Sequence, residues 1–314
     1  MVKVDLVTGF LGSGKTTFLK KYARYLIDKG EKICILENDF GAVNVDMLLM
    51  SDMLGDSCDL EMVSGGCDND CHKRRFKTKL ISMGMRGYDR VIIEPSGIFD
   101  VDQFFDTLAE EPLDSWYEIG SVIAIVEADL PDKLSDASEF LLASQAATAG
   151  IVILSKGQAQ TDEQKDKVIS HIKKAMKNIH CQKTELNEVI TKNWDDLTES
   201  DMDEVSHAGY NQPEYEKSWL NKEDAFQSVY LMNEGITPKT LPYIAKELFS
   251  GKEYGNVIRI KGFAGSDNAG WFELNATAFG FTMQPIKQGQ DVLIVIGEEL
   301  NKEAIETYIK RCTA

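Results

Sequence analysis

The stretch Val4-Asp5-Leu6-Val7-Thr8-Gly9-Phe10-Leu11-Gly12-Ser13-Gly14-Lys15-Thr16-Thr17 decides the fold. A strand-like run leads into Gly9 to Thr16, which fits G-x-x-x-x-G-K-[ST]. A helical pattern begins at once: Phe18, Leu19, Tyr22, Ala23 and Leu26 recur on one helix face, and Gly30 is placed to end it. Strand, glycine-rich loop and helix in this order make a phosphate cradle. The glycines let backbone N–H groups curl around phosphate oxygens, and the helix N-terminus adds partial positive charge. Lys15 is placed to reach the β and γ phosphates, and the Thr16 hydroxyl to ligate Mg²⁺. Gly9, Gly12, Ser13, Gly14, Lys15, Thr16 and Thr17 are the expected phosphate-binding residues.

Outward from this unit, short apolar runs alternate with helical patterns as far as residue 180. The runs are Val4 to Val7, Ile33 to Leu36, Val91 to Ile93, Val122 to Val126 and Ile151 to Leu154. Nearly continuous apolar strands separated by helices predict an α/β fold, a parallel sheet covered by helices on both faces. Such sheets bind ligands at the carboxyl ends of their strands. Val91-Ile92-Ile93 runs into Glu94-Pro95-Ser96-Gly97, so Glu94 is the expected carboxylate for the Mg²⁺ shell or its water. Gly97 is expected to allow close approach to the γ phosphate.

Six of the ten residues from Asp195 to Glu204 are acidic, which predicts a solvated linker. Beyond it the pattern changes. Ser228 to Leu231, a helix around Pro238 to Phe249, clustered strands at Val257 to Lys261, Trp271 to Leu274 and Val292 to Ile296, and a helix near Lys302 to Lys310 predict a small α+β domain with antiparallel pairing. The expected division is a P-loop domain over 1–195, an acidic linker over 196–221 and the α+β domain over 222–314.

The chain has 314 residues, enough for two cores, and 34 Lys and Arg against 51 Asp and Glu give a net charge of −17. That balance repels polynucleotides and anionic membrane surfaces, and neither is expected as a partner. No apolar run approaches the ~18 residues of a spanning helix, and the N-terminus opens on a strand pattern, so a cytoplasmic location is expected. The six cysteines, Cys34, Cys58, Cys67, Cys71, Cys181 and Cys312, form no secreted-type framework.

Taken together, Gly9 to Thr16, Glu37-Asn38-Asp39-Phe40-Gly41 with Asp46, Gly66-Cys67 and Ile93-Glu94-Pro95-Ser96-Gly97 resemble the CobW-type metallochaperone GTPases, relatives of the UreG and HypB nickel-insertion GTPases. The second domain resembles that family's C-terminal domain at Arg259-Ile260-Lys261-Gly262-Phe263, Trp271 and Ile296-Gly297. The resemblance implies GTP binding and slow hydrolysis, coupled to delivering cobalt, zinc or nickel, or a corrinoid or metal cofactor, to a client metalloenzyme or corrinoid protein. A nucleotide-dependent dimer is compatible with it. The family reads N-E-F-G where Asp39 stands here. It implies a switch from Glu37 to Asp46 that closes on Mg²⁺ and the γ phosphate, with Glu37 or Asp39 orienting the attacking water.

Two departures bear on specificity. After Ile151 to Leu154 the family carries Asn-Lys-x-Asp, and this chain has Ser155-Lys156-Gly157-Gln158. Ser155, Lys156 and Gln158 are the expected base-contacting residues. An Asp carboxylate would accept from guanine N1–H and the 2-amino group, whereas the Gln158 amide pairs about as naturally with adenine, which leaves ATP open beside GTP. The family also carries Cys-x-Cys-Cys where this chain has Cys67-Asp68-Asn69-Asp70-Cys71-His72. Cys67 and Cys71 share a face if helical, and with His72 and carboxylates such as Glu37 would suit Zn²⁺, Co²⁺ or Ni²⁺. A C-x-x-x-C pair is equally compatible with buried thiols.

Three functional classes follow. The first is an NTPase metallochaperone with Lys15, Glu37, Asp39 and Glu94 as the catalytic set and Thr16, Glu94, Glu37, Cys67, Cys71 and His72 as metal ligands. The second is a regulatory NTPase that assembles or activates a client without binding transition metal. The third, a small-molecule kinase, lacks an arginine-rich lid, since only Arg74, Arg75, Arg86 and Arg90 cluster mid-chain. With four histidines in all, zinc storage is not expected.

Overall fold

The computed structural model describes residues 1–39, 53–64, 69–217, 225–266, 270–278, 280–286 and 289–313. Phe40, Gly41, Asp46, Gly66, Cys67 and Asp68 lie outside the described residues. The chain divides into two compact units, Met1–Ser218 and Trp219–Ala314.

The first unit holds seven strands: β1 (Val2–Thr8), β2 (Ile33–Asp39), β3 (Cys58–Ser64), β4 (Arg90–Pro95), β5 (Tyr117–Glu127), β6 (Ile151–Ser155) and β7 (Glu188–Ile190). They form one sheet in the order β3-β2-β4-β1-β5-β6-β7, all pairs parallel. Successive side chains point to opposite faces, and both faces are covered. Val7, Ile33, Ile35, Ile92, Ile123 and Ile153 pack with Phe18, Leu19, Tyr22 and Leu26 of helix α1 (Lys15–Asp28). Val4, Leu6, Leu36, Val91, Ile93 and Val152 face the opposite layer, with α2 (Asn69–Gly84), α3 (Val101–Leu108), α4 (Leu113–Trp116), α5 (Asp136–Thr148) and α6 (Asp162–Asn178). Burial on both faces is why these strands read as unbroken apolar runs, each such side chain contributing ~1.5–3 kcal/mol.

The expected acidic linker is corrected by the structure. Residues 199–206 form a helix, α7 (Glu199–Ser206), capped by Thr198, with Asp201 returning the bond in a capping box. Its Met202 and Val205, three apart, join the α1 side of the core. The acidic residues face α1 and a neighbouring lysine, with Lys29 2.5 Å from Glu199 and Lys192 2.7 Å from Asp201. The segment after it is also anchored: Asn211 N–H donates to Thr148 O at 2.8 Å and Glu216 N–H to Ile179 O at 2.9 Å. An amphipathic helix hides in an acidic run because two apolar residues suffice to seat eight.

The second unit holds β8 (Gln227–Met232), α8 (Leu241–Ser250), β9 (Asn256–Ser266), β10 (Gly270–Thr277), β11 (Gly280–Ile286), β12 (Val292–Glu298) and α9 (Lys302–Thr313). Its antiparallel sheet has the order β11-β10-β9-β12-β8. Leu241, Ile244 and Leu248 of α8 and Ile305 and Ile309 of α9 pack on Ile260, Leu274, Leu293 and Val295. A Cβ on Gly262 would lie 2.6 Å from Leu241 Cδ1, so glycine lets α8 close on the sheet. Among the described residues no helix is long and apolar enough to cross a membrane.

Candidate functional site

In the first unit every strand is parallel, so the carboxyl ends of β1, β2, β4, β5, β6 and β7 lie at one edge. The turn Gly9 to Gly14 leaves β1 there. Gly9, Gly12 and Gly14 have φ of 146°, 79° and 97°, a region that favours glycine. A Cβ on Gly9 would lie 2.3 Å from Ile125 O of β5. Lys15, buried at the first turn of α1, donates from Nζ to Gly9 O at 2.8 Å and Phe10 O at 3.3 Å. The ammonium is thus held over the loop whose amides would meet a phosphate. Ser13 is buried and Thr17 is exposed on α1.

Thr16 Oγ1 donates to Glu94 Oε1 at 2.7 Å, joining residues 78 apart in sequence. Glu37 is buried on β2, directly in register with Glu94 on β4. Two carboxylates on adjacent strands beside a threonine hydroxyl form an oxygen-only donor set, which fits a hard divalent cation such as Mg²⁺. Asp39 closes β2, and its side chain lies outside what the structure describes.

Gly97 does something more specific than the sequence suggests. A Cβ there would lie 2.5 Å from Leu11 N and 2.8 Å from Phe10 C, so the loop after β4 is packed directly on the phosphate-loop backbone. Gln145 of α5 steadies it, donating from Nε2 to Gly97 O at 3.4 Å. Ser96 N–H donates to Asn38 O at 2.9 Å, tying the same loop to β2. No motif marked Gln145, which stands in a position that looks like an ordinary core neighbour; Asn38 belongs to the Glu37-to-Gly41 motif, but nothing local to it announces its contact with the loop after β4.

His72, one of the expected ligands, is oriented by a contact to β2, as an outer partner orients a metal-bound imidazole. It is fully buried on α2, and its Nε2 lies 2.6 Å from Asn38 Oδ1, which commits one ring nitrogen to β2. Cys71 is half-buried on the same helix. Among the described residues no group of three or more His, Cys, Asp and Glu is placed to hold a metal ion. Of the other thiols, burial pushes Cys34 up to about 12 and Cys58 up to about 11, which keeps both protonated.

At the end of β6, Ser155 is buried while Lys156 and Gln158 are exposed. Lys156 Nζ sits 2.8 Å from Glu127 Oε1 at the end of β5. Burial raises the Glu127 carboxyl, and the Lys156 ammonium pulls it back. Trp194, which no motif flagged, stands next to Gly14: a Cβ on that glycine would lie 3.5 Å from Trp194 Cζ2.

A family model described as CobW/HypB/UreG, nucleotide-binding domain matches residues 3–184. This chain belongs to the CobW/HypB/UreG family. The matched span contains β1 to α6, including the phosphate loop, Glu37, Glu94 and the turn after β6. This CobW/HypB/UreG chain is similar to the zinc chaperone YeiR of Escherichia coli (strain K12), with 30% identity over 164 residues, 52% of this chain and 49% of that protein. Against the zinc chaperone YjiA of the same organism it shows 30% identity over 174 residues, 52% of each chain. The zinc-regulated GTPase metalloprotein activator 1 of Schizosaccharomyces pombe is 22% identical over 351 aligned positions, covering 96% of this chain and 83% of that protein. The chain spans about half the length of the first two relatives.

Proposed function

We propose that this chain is a P-loop NTPase that couples GTP binding and slow hydrolysis to delivering a metal ion, zinc foremost, to a client protein. One observation carries the nucleotide half: Thr16 and Glu94 are hydrogen bonded beside Lys15, at the mouth of the strand that opens into the phosphate loop. The loop amides and Lys15 hold the β and γ phosphates, and Lys15 trades its loop carbonyls for phosphate oxygens. Thr16 and Glu94, with Glu37 alongside, would hold Mg²⁺, and the ion would supply positive charge against the phosphates. Phosphoryl transfer needs chiefly positioning and charge stabilisation, so these few groups suffice for slow turnover. Glu37 or Asp39, at the end of β2, would orient the attacking water.

The cargo half rests on family membership and on relatives named as zinc chaperones. Cys67 and Cys71 are its proposed thiolate ligands, because soft sulfur suits Zn²⁺ over Mg²⁺. The reading without transition metal draws on the altered cysteine spacing, Cys67 and Cys71 where the family carries Cys-x-Cys-Cys.

Calorimetry with Mg²⁺-GTP, together with equilibrium dialysis against Zn²⁺, tests both halves. Wild type should bind nucleotide, Lys15→Ala should lose it, and Cys67→Ser/Cys71→Ser should lose bound Zn²⁺ while keeping nucleotide. Absence of nucleotide binding by folded wild type removes the whole proposal. Unchanged Zn²⁺ stoichiometry in the double variant removes the cargo site and leaves the regulatory NTPase.

A further inference from the structure

The loops after β6 and β7 meet beside the phosphate loop in an arrangement that phosphate chemistry does not explain. Trp194 lies in a single 3-10 turn, Trp194–Asp196, four residues beyond β7. Its ring is held by Phe18 of α1, centroids 5.5 Å apart, and it remains half-exposed. A Cβ on Gly14 would lie 3.5 Å from Trp194 Cζ2 and 3.8 Å from Ser155 Cβ, so indole and serine flank the same glycine. Two buried atoms at these residues and the next, Ser155 Oγ and Asn193 Oδ1, have no hydrogen-bond partner among the described residues. A buried acceptor left unpaired is costly, and a ligand N–H would relieve it. Lys156 is turned to Glu127, 2.8 Å away, rather than held over the phosphate loop.

We propose that Trp194 is the stacking wall of a purine subsite, and that this subsite accepts guanine and adenine alike. The proposal rests on the nucleotide site described above and names its base specificity. Stacking on an indole face is tolerant of base identity, because every base presents a π surface, and the larger purines cover more of it than pyrimidines. Specificity would then fall to edge contacts. A carboxylate at position 158 could only accept, which suits the adjacent N1–H and 2-amino donors of guanine and opposes the N1 acceptor of adenine. The Gln158 amide carries a donor and an acceptor side by side. In one orientation it donates to guanine O6 and accepts from N1–H; turned over, it accepts from adenine N6–H and donates to N1. Asn193 Oδ1 is a further acceptor for a base N–H.

Titrations in excess Mg²⁺ with GTP, ATP, CTP and inorganic tripolyphosphate, on wild type, Trp194→Leu, Trp194→Phe and Gln158→Asp, test this. Wild type should bind GTP and ATP within tenfold of each other and both more tightly than CTP. Trp194→Leu should weaken both purine nucleotides by about the same factor, roughly tenfold, with tripolyphosphate unchanged, and Trp194→Phe should recover part of the loss. Gln158→Asp should shift the GTP-to-ATP ratio at least tenfold toward GTP. A wild-type preference beyond tenfold for either purine overturns the proposal, as does equal loss of tripolyphosphate binding in both Trp194 variants, which would assign the ring to packing. If wild type binds tripolyphosphate and Trp194→Leu leaves purine affinity untouched, only the subsite fails. If wild type binds no triphosphate, the underlying nucleotide site fails with it.

Discussion

Arg90→Met should destabilise the first unit severely, and the damage should shrink as the pH falls. Arg90 and Asp5 are buried at 2% and 0% exposure, with Arg90 Nη1 2.7 Å from Asp5 Oδ2. Asp5 also accepts from Tyr22 OH and Ser121 N–H, each at 2.7 Å. The cluster ties β1, β4, α1 and the start of β5 together below the phosphate loop. Removing the guanidinium strands a carboxylate in a dry site, which costs ~3–5 kcal/mol. For a unit of this size that lowers the thermal midpoint on the order of 10 °C. Burial already pushes the Asp5 carboxyl up, against the pull of Arg90 and the donated hydrogen bonds, and losing Arg90 pushes it further. A folded-state pKa above the unfolded value favours the fold as protons are taken up. The deficit relative to wild type is therefore largest above the raised pKa and diminishes as the pH falls toward the ordinary carboxylate range. Adding Asp5→Asn removes the stranded charge and should restore ~1–2 kcal/mol. Urea unfolding of wild type and the two variants at pH 7 and pH 5 is the assay. A loss under ~1 kcal/mol at pH 7, or a deficit equal at both pH values, refutes the reasoning.

Gly97→Ala places a methyl 2.5 Å from Leu11 N, against backbone that cannot rotate away; it should cost ~1–3 kcal/mol of stability and weaken Mg²⁺-nucleotide binding, both read by calorimetry. Glu94→Gln keeps a hydrogen-bond partner for Thr16 but removes a charge, so nucleotide affinity should become dependent on Mg²⁺ concentrations at least tenfold higher; an unchanged Mg²⁺ titration would exclude Glu94 from the cation shell. Asp201 is pushed down to about 2 by the Lys192 ammonium and the Thr198 N–H. That is below its unfolded value, so its contribution is present above pH 4 and lost as the pH falls toward 2. Asp201→Asn should accordingly cost ~1 kcal/mol at pH 7, with urea midpoints reaching wild type only once the pH falls below the folded-state pKa of about 2.

The amino-acid sequence determined the phosphate loop, the central parallel strands and the antiparallel character of the second unit, because those features are written locally. Glycines at fixed spacing specify a turn, and runs such as Val91-Ile92-Ile93 specify strands covered on both sides. Edge elements escaped the same logic. β3 alternates Asp59 and Glu61 with apolar residues, β7 has three residues, and β11 carries Gln284 and Pro285; none is apolar or long enough to stand out. The acidic run from Asp195 hid a helix for the same reason. What tertiary structure alone decided is proximity across the sheet: Glu37 in register with Glu94, Gly97 on Leu11, His72 on Asn38, and Trp194 beside Gly14 although 180 residues separate them. Periodicity reports which face a side chain takes, but its neighbours on that face depend on strand order. Here the order β2-β4-β1-β5-β6-β7 gathers the end of β2 and the loops after β1, β4, β5, β6 and β7 at one edge of the sheet.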